Sequence, residues 1–163
     1  MSESKEMKNM RADIELLKFN LWEETLDMHV TRDEQERFIA LLYHLTDSTG
    51  QPDWDDVENM LGEDYLVLTD VEADDAVRDY IDEEAGTFSP SFLSGFTGID
   101  EDVFETLQGV GKYDAIRSMI QDFDEFVEAA VKADGRGHFL SFYDGNEHEV
   151  TVNDTTYYIY RVN

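Results

Sequence analysis

Apolar residues along this chain recur mostly at spacings of three and four, the repeat of a helix with one buried face. Over residues 5–29, Met7, Met10, Ile14, Leu17 and Leu21 fall on one stripe, continued by Trp22, Leu26 and Met28. The stripe predicts a helix that either packs into the core or, being heptad-like, forms the seam of a homodimer. Thr31 and Glu34 make a capping box, so a second helix is expected from near Arg32. Phe38, Ile39, Leu41, Leu42 and Leu45 make that helix apolar enough to be central, with His44 as a half-buried passenger. Residues 47–52 are loop by composition. Asp53 then caps a short helix running to residue 61, with Asp55 and Asp56 in its favourable first turn and Gly62 as its stop.

The run Tyr65, Leu66, Val67, Leu68 is short and apolar, as a buried strand would be. Thr69 and Glu72 repeat the capping signal and open a helix to about Glu84, with Ala73, Ala76, Val77, Tyr80 and Ile81 inward. Ser89 and Pro90 suit an N-cap and first helical residue, giving one short turn from Pro90 to Leu93 before Gly95 and Gly98. Residues 99–107 read as a short acidic helix, broken by Gly109 and Gly111. Residues 112–132 read as one long helix, through Tyr113, Ile116, Met119, Ile120, Phe123, Val127, Ala130 and Val131. The end changes period. Residues 149–152 and 157–160 are β-branched and aromatic, with Asn153, Asp154, Thr155 and Thr156 as the turn between them. The expected fold is therefore α+β, mainly α-helical, with a small antiparallel sheet made of this C-terminal hairpin and the strand at Tyr65. At 163 residues the chain is expected to be a single domain in three parts: a helical start (1–46), an acidic helical centre (47–105), and a long helix plus hairpin (106–163).

Charge changes the picture. Residues 47–105 hold 19 Asp and Glu against one base, Arg78, so most of the chain's net charge of −27 sits in about a third of its length. The acids alternate with core positions, unlike a disordered acidic tail, and belong on the outside of folded helices. A surface of one sign repels nucleic acid and anionic membranes and attracts basic proteins. There is no apolar run long enough to cross a bilayer and no apolar leader, and the absence of cysteine suits a reducing cytoplasm.

Three kinds of chemistry compete for a role. The stretch from Asp134 to His148, with Arg136, His138, Ser141 and Asp144, has the residue types of an active site or a metal site. Its glycines do not form a phosphate loop, and its histidines lack a recognised ligand spacing. No calcium loop of the EF-hand kind is present. The expectation is no cofactor, no metal and no catalysis, with a structural turn here. Acidic, lysine-poor composition also suits salt adaptation, but solvation would spread the charge evenly. The third reading is mimicry. Carboxylates at i+3 and i+4 stand ~5–6 Å apart on a helix, and phosphates along one DNA strand rise ~3.4 Å per nucleotide. A rigid acidic helix would therefore suit a groove built for phosphates.

At Tyr65-Leu66-Val67-Leu68-Thr69-Asp70 with Glu72-Ala73-Asp74, the chain resembles a group of small phage-encoded proteins of uncharacterised function. The resemblance continues at Ala133-Asp134-Gly135-Arg136-Gly137-His138-Phe139-Leu140-Ser141 with Tyr143-Asp144-Gly145, and at the closing Tyr157-Tyr158-Ile159-Tyr160-Arg161-Val162-Asn163. It covers roughly residues 65–163 and implies no catalytic residues. In charge and size the chain is similar to phage DNA mimics that block restriction enzymes or CRISPR effectors. The expectation is a cytoplasmic anti-defence protein that acts by binding the basic nucleic-acid channel of a host enzyme. The expected contact residues are Asp70, Glu72, Asp74, Asp75, Asp79, Asp82, Glu83 and Glu84, then Asp53, Asp55, Asp56, Asp100, Glu101 and Asp102. The alternatives are a self-associating interaction module built on the Met7–Leu21 stripe, and a small hydrolase or metal protein built on the stretch from Asp134 to His148.

Overall fold

A computed structural model of the protein describes residues 32–49 and 60–163. The expected helix over 5–29, its dimer seam, and the helix capped by Asp53 with Asp55 and Asp56 lie outside the described residues. The chain gathers into two compact units. One takes the described residues up to Asp70 and again from Glu147 to Asn163; the other is the continuous segment Val71–Asn146. The architecture is α+β, with helices and one three-stranded antiparallel sheet among the described residues.

In the first unit, helix α1 (Arg32–Thr49) starts where the capping signal places it. It is buried nearly all round from Phe38 to Leu45, as its apolar sequence requires. The sheet has the order β1-β3-β2, with β1 at Tyr65–Thr69, β2 at His148–Val152 and β3 at Thr155–Arg161. The strand latest in sequence is thus the central one, pairing Val67 with Ile159 on one side and Tyr157 with Val150 on the other. The hairpin turn is tighter than its sequence suggests. Only Asn153 and Asp154 form it, at φ 48° and 68°, and Val152 pairs with Thr155. Two positive-φ residues give the turn the twist that matches its strands. Tyr65, Val67, Val152, Tyr157 and Ile159 face the core together with Phe38, Leu41 and Leu42 of α1. Two polar contacts fix this packing. The Arg37 guanidinium donates to the Val67 carbonyl at 2.8 Å, and the buried Tyr157 hydroxyl donates to the buried Glu36 carboxylate at 2.7 Å.

The second unit is helical. β1 passes directly into α2 (Asp70–Glu84), which buries Ala73, Val77 and Ile81 at helical spacing. A 3₁₀ turn (Ala85–Thr87) leads to α3 (Pro90–Thr97), whose N-cap Ser89 accepts from the Phe92 amide. The expected single turn is in fact a two-turn helix. Gly95 is tolerated inside it, and Gly98 ends it at φ 75°. Asp100 caps α4 (Glu101–Gly109) through the Asp102 amide. The expected long helix over 112–132 is two helices, α5 (Tyr113–Ser118) and α6 (Phe123–Asp134). The Asp122 carboxylate accepts from the Glu125 amide and starts α6 afresh, so a cap overrides an unbroken apolar period. The expected turn around Gly135 contains a further short helix, α7 (Arg136–Leu140). The core of this unit centres on the fully buried Phe126, with the rings of Phe88, Phe92 and Phe96 at 5.2, 5.6 and 5.1 Å. At that spacing the ring pairs add to plain area burial.

Candidate functional site

The residue-level geometry of α2 follows from its wheel. Opposite the buried Ala73, Val77 and Ile81 lie Glu72, Asp75, Asp79, Asp82 and Glu83, all of them exposed except the half-buried Glu72. Eleven steps of ~1.5 Å separate Glu72 from Glu83, so the five acids share about 16 Å of axis, roughly one per 3–4 Å. The mean step of about 4 Å is of the same order as the ~3.4 Å rise between phosphates on one DNA strand. Asp74 and Arg78 sit on one shoulder of this stripe.

The unit has 18 acids and five bases: Arg78, Lys112, Arg117, Lys132 and Arg136. All three arginines bind carboxylates of the same unit. Arg117 of α5 reaches Asp82 at 2.6 Å, Arg136 of α7 reaches Asp74 at 3.0 Å, and Arg78 reaches Asp124 of α6. The guanidiniums of Arg117 and Arg78 also lie over the Phe123 ring, at 3.9 and 4.9 Å from its centre. Helix α2 is thereby tied to α5, α6 and α7, which holds its acidic stripe on a braced support. Two expected contact residues, Asp74 and Asp82, thus have internal partners. Asp75, Asp79 and Glu83 are exposed and make no ion pair with a described residue. Glu84 is half-buried and accepts from the Thr87 hydroxyl at 3.4 Å. Asp70 begins α2 and is exposed. Asp100, Glu101 and Asp102 are exposed at the start of α4, where Asp100 is occupied in capping.

The stretch from Asp134 to His148 does not converge on one site. Arg136 is held by Asp74. The buried Ser141 hydroxyl donates to Asp144 at 2.9 Å. His138 is exposed on α7, whereas His148 belongs to the other unit, on β2. There it packs against His44 of α1, with ring centres 4.4 Å apart and the planes tilted by 35°, and His44 is half-buried as expected. Spacing could not reveal this imidazole pair, whose members come from opposite ends of the unit. Among the described residues no three His, Asp or Glu side chains are placed to hold a metal ion. No described helix is long and apolar enough to cross a membrane.

Two of the grooves in the helical unit adjoin α2. One, of about 580 Å³, runs between α2 and α6 and mixes signs, with Asp74, Asp75, Asp124 and Glu128 beside Arg78 and Lys132. The other, of about 490 Å³, is lined by Tyr80, Phe88, Phe92 and the buried Phe139, with Glu84, Asp134, His138, Ser89 and Ser91 among its polar groups. Comparison with protein families, curated proteins and solved structures finds no match, so the chemistry of these surfaces carries the functional argument.

Proposed function

We propose that this chain is a nucleic-acid mimic: a phage anti-defence protein that binds and inhibits a basic, nucleic-acid-binding host enzyme through its acidic helical unit. The observation that carries the reading is the internal use of every arginine in that unit. The arginines brace the helices, and Asp75, Asp79 and Glu83 stay exposed without an ion pair to a described residue, one every ~6 Å of helix axis. A folded helix spares docking the ordering of the backbone that carries these carboxylates, and charge complementarity steers a basic partner and sets specificity. Direct binding of nucleic acid is disfavoured by the same field.

Replacing Asp75, Asp79 and Glu83 together by Lys leaves all three ion pairs intact. The triple variant is expected to keep its helical circular dichroism but to weaken inhibition and partner capture at least about tenfold. A captured partner is expected to elute with salt and to be displaced by DNA. Undiminished capture by a folded triple variant overturns the mimic reading.

A further inference from the structure

The aromatic groove of the helical unit is a site in its own right. Its wall is aromatic: Phe88 lies near-parallel to Phe139, 6.1 Å between centres, and Tyr80 packs 6.1 Å from the same ring. Outside the groove, Tyr80 also packs against Phe142, whose ring is 5.8 Å away and which is 62% exposed. The lining contains two carboxylates, Glu84 and Asp134, with the imidazole of His138 beside them and no Lys or Arg. The α2–α6 groove has similar carboxylates but carries Arg78 and Lys132, which fill the role that an incoming cation would take. In the aromatic groove that role is open. Its volume of about 490 Å³ falls within the range of ordinary ligand sites, roughly 300–1,000 Å³.

Aromatic faces attract cations through the ring quadrupole, and carboxylates supply the countercharge and directed acceptors. A planar guanidinium uses both at once, since it stacks on a ring while its edge donates to a carboxylate. We infer that the groove formed by Tyr80, Phe88, Phe92, Phe139, Glu84 and Asp134 binds an arginine side chain of the protein partner. The inference rests on the reading of this unit as a surface for a basic protein, and deepens it: the α2 stripe supplies long-range attraction, and the groove supplies one anchoring residue. Anchors of this kind, a single side chain in a desolvated aromatic pocket, carry a large share of binding at many interfaces.

The probe is the tripeptide acetyl-Gly-Arg-Gly-amide, titrated into the full chain while the backbone amide and aromatic side-chain NMR signals are followed. Its neutral isostere, with citrulline in place of arginine, is the control. The expected result is saturable movement of the Tyr80, Phe88 and Phe92 signals, with a roughly millimolar dissociation constant. The citrulline peptide and the Glu84→Gln/Asp134→Asn variant are each expected to bind at least tenfold more weakly. Equal binding of the citrulline peptide, movement confined to the α2 stripe, or no binding overturns the inference. The Asp75, Asp79 and Glu83 triple Lys variant leaves the groove intact. Its failure to lose the partner would sink the mimic reading alone, whereas the tripeptide result on the unaltered chain judges the groove alone.

Discussion

Tyr157 and Glu36 form a buried hydrogen bond between the sheet and α1. Burial of the phenol, followed by its hydrogen bond to Glu36 and the charge of that carboxylate, pushes the Tyr157 pKa well above its ordinary value of 10.0. The folded state therefore keeps the phenolic proton when the unfolded chain loses it. The stabilisation is complete below pH 10 and falls as pH rises past 10, because the unfolded state then binds fewer protons. The expected outcome is a melting temperature that declines on the alkaline side of pH 10, with a shallower decline in Tyr157→Phe. At neutral pH that variant is expected to lose about 1–3 kcal/mol, since it leaves a buried carboxylate short of a donor. Thermal melts from pH 7 to 11 check both effects. Neither residue is marked as a partner by the sequence: they stand 121 positions apart, and Glu36 reads as one more acid on a helix surface.

Among the elements, α2 shows what sequence reveals and what it hides. Its span, its buried face and its outer acids follow from period and capping signals alone. Its three arginine braces do not, because Arg78–Asp124, Arg117–Asp82 and Arg136–Asp74 close over separations of 46, 35 and 62 residues. The break between α5 and α6 was legible in principle. Asp122 and Glu125 form an Asp-x-x-Glu cap signal, but the apolar period runs unbroken across it through Met119, Ile120 and Phe123. The acids of the candidate site were visible as charge, whereas the aromatic groove was not, since Tyr80, Phe88, Phe92 and Phe139 meet only through tertiary packing. A second close approach lies between the 3₁₀ turn and α5. A Cβ on Gly86 would stand 2.6 Å from the Tyr113 carbonyl oxygen and 2.8 Å from its Cα. Gly86→Ala therefore pushes two backbones apart and is expected to cost about 1–3 kcal/mol. Gly95→Ala, with nothing within 4 Å, is its control. Urea denaturation of the two variants separates a packing effect from mere loss of chain freedom.

At the scale of the whole molecule, the central strand β3 follows the entire 71–146 segment in sequence, yet its neighbour β1 precedes that segment. On the ribosome, β1 and α1 emerge first and have no sheet to join. The helical segment emerges next with all of its own partners present and can fold during synthesis. The sheet closes only when β3 arrives, across a loop too long to favour early pairing. Ribosome-bound chains that end at residue 146 and are held clear of the exit tunnel by an unstructured C-terminal linker are accordingly expected to have a helical segment that resists a protease pulse while α1 is cleaved. Equal protection of the two regions at that stage would refute this order of events. Vectorial synthesis thus gives the acidic surface a head start: the part of the molecule proposed to meet its target takes shape before the apolar strands that precede and follow it have found one another.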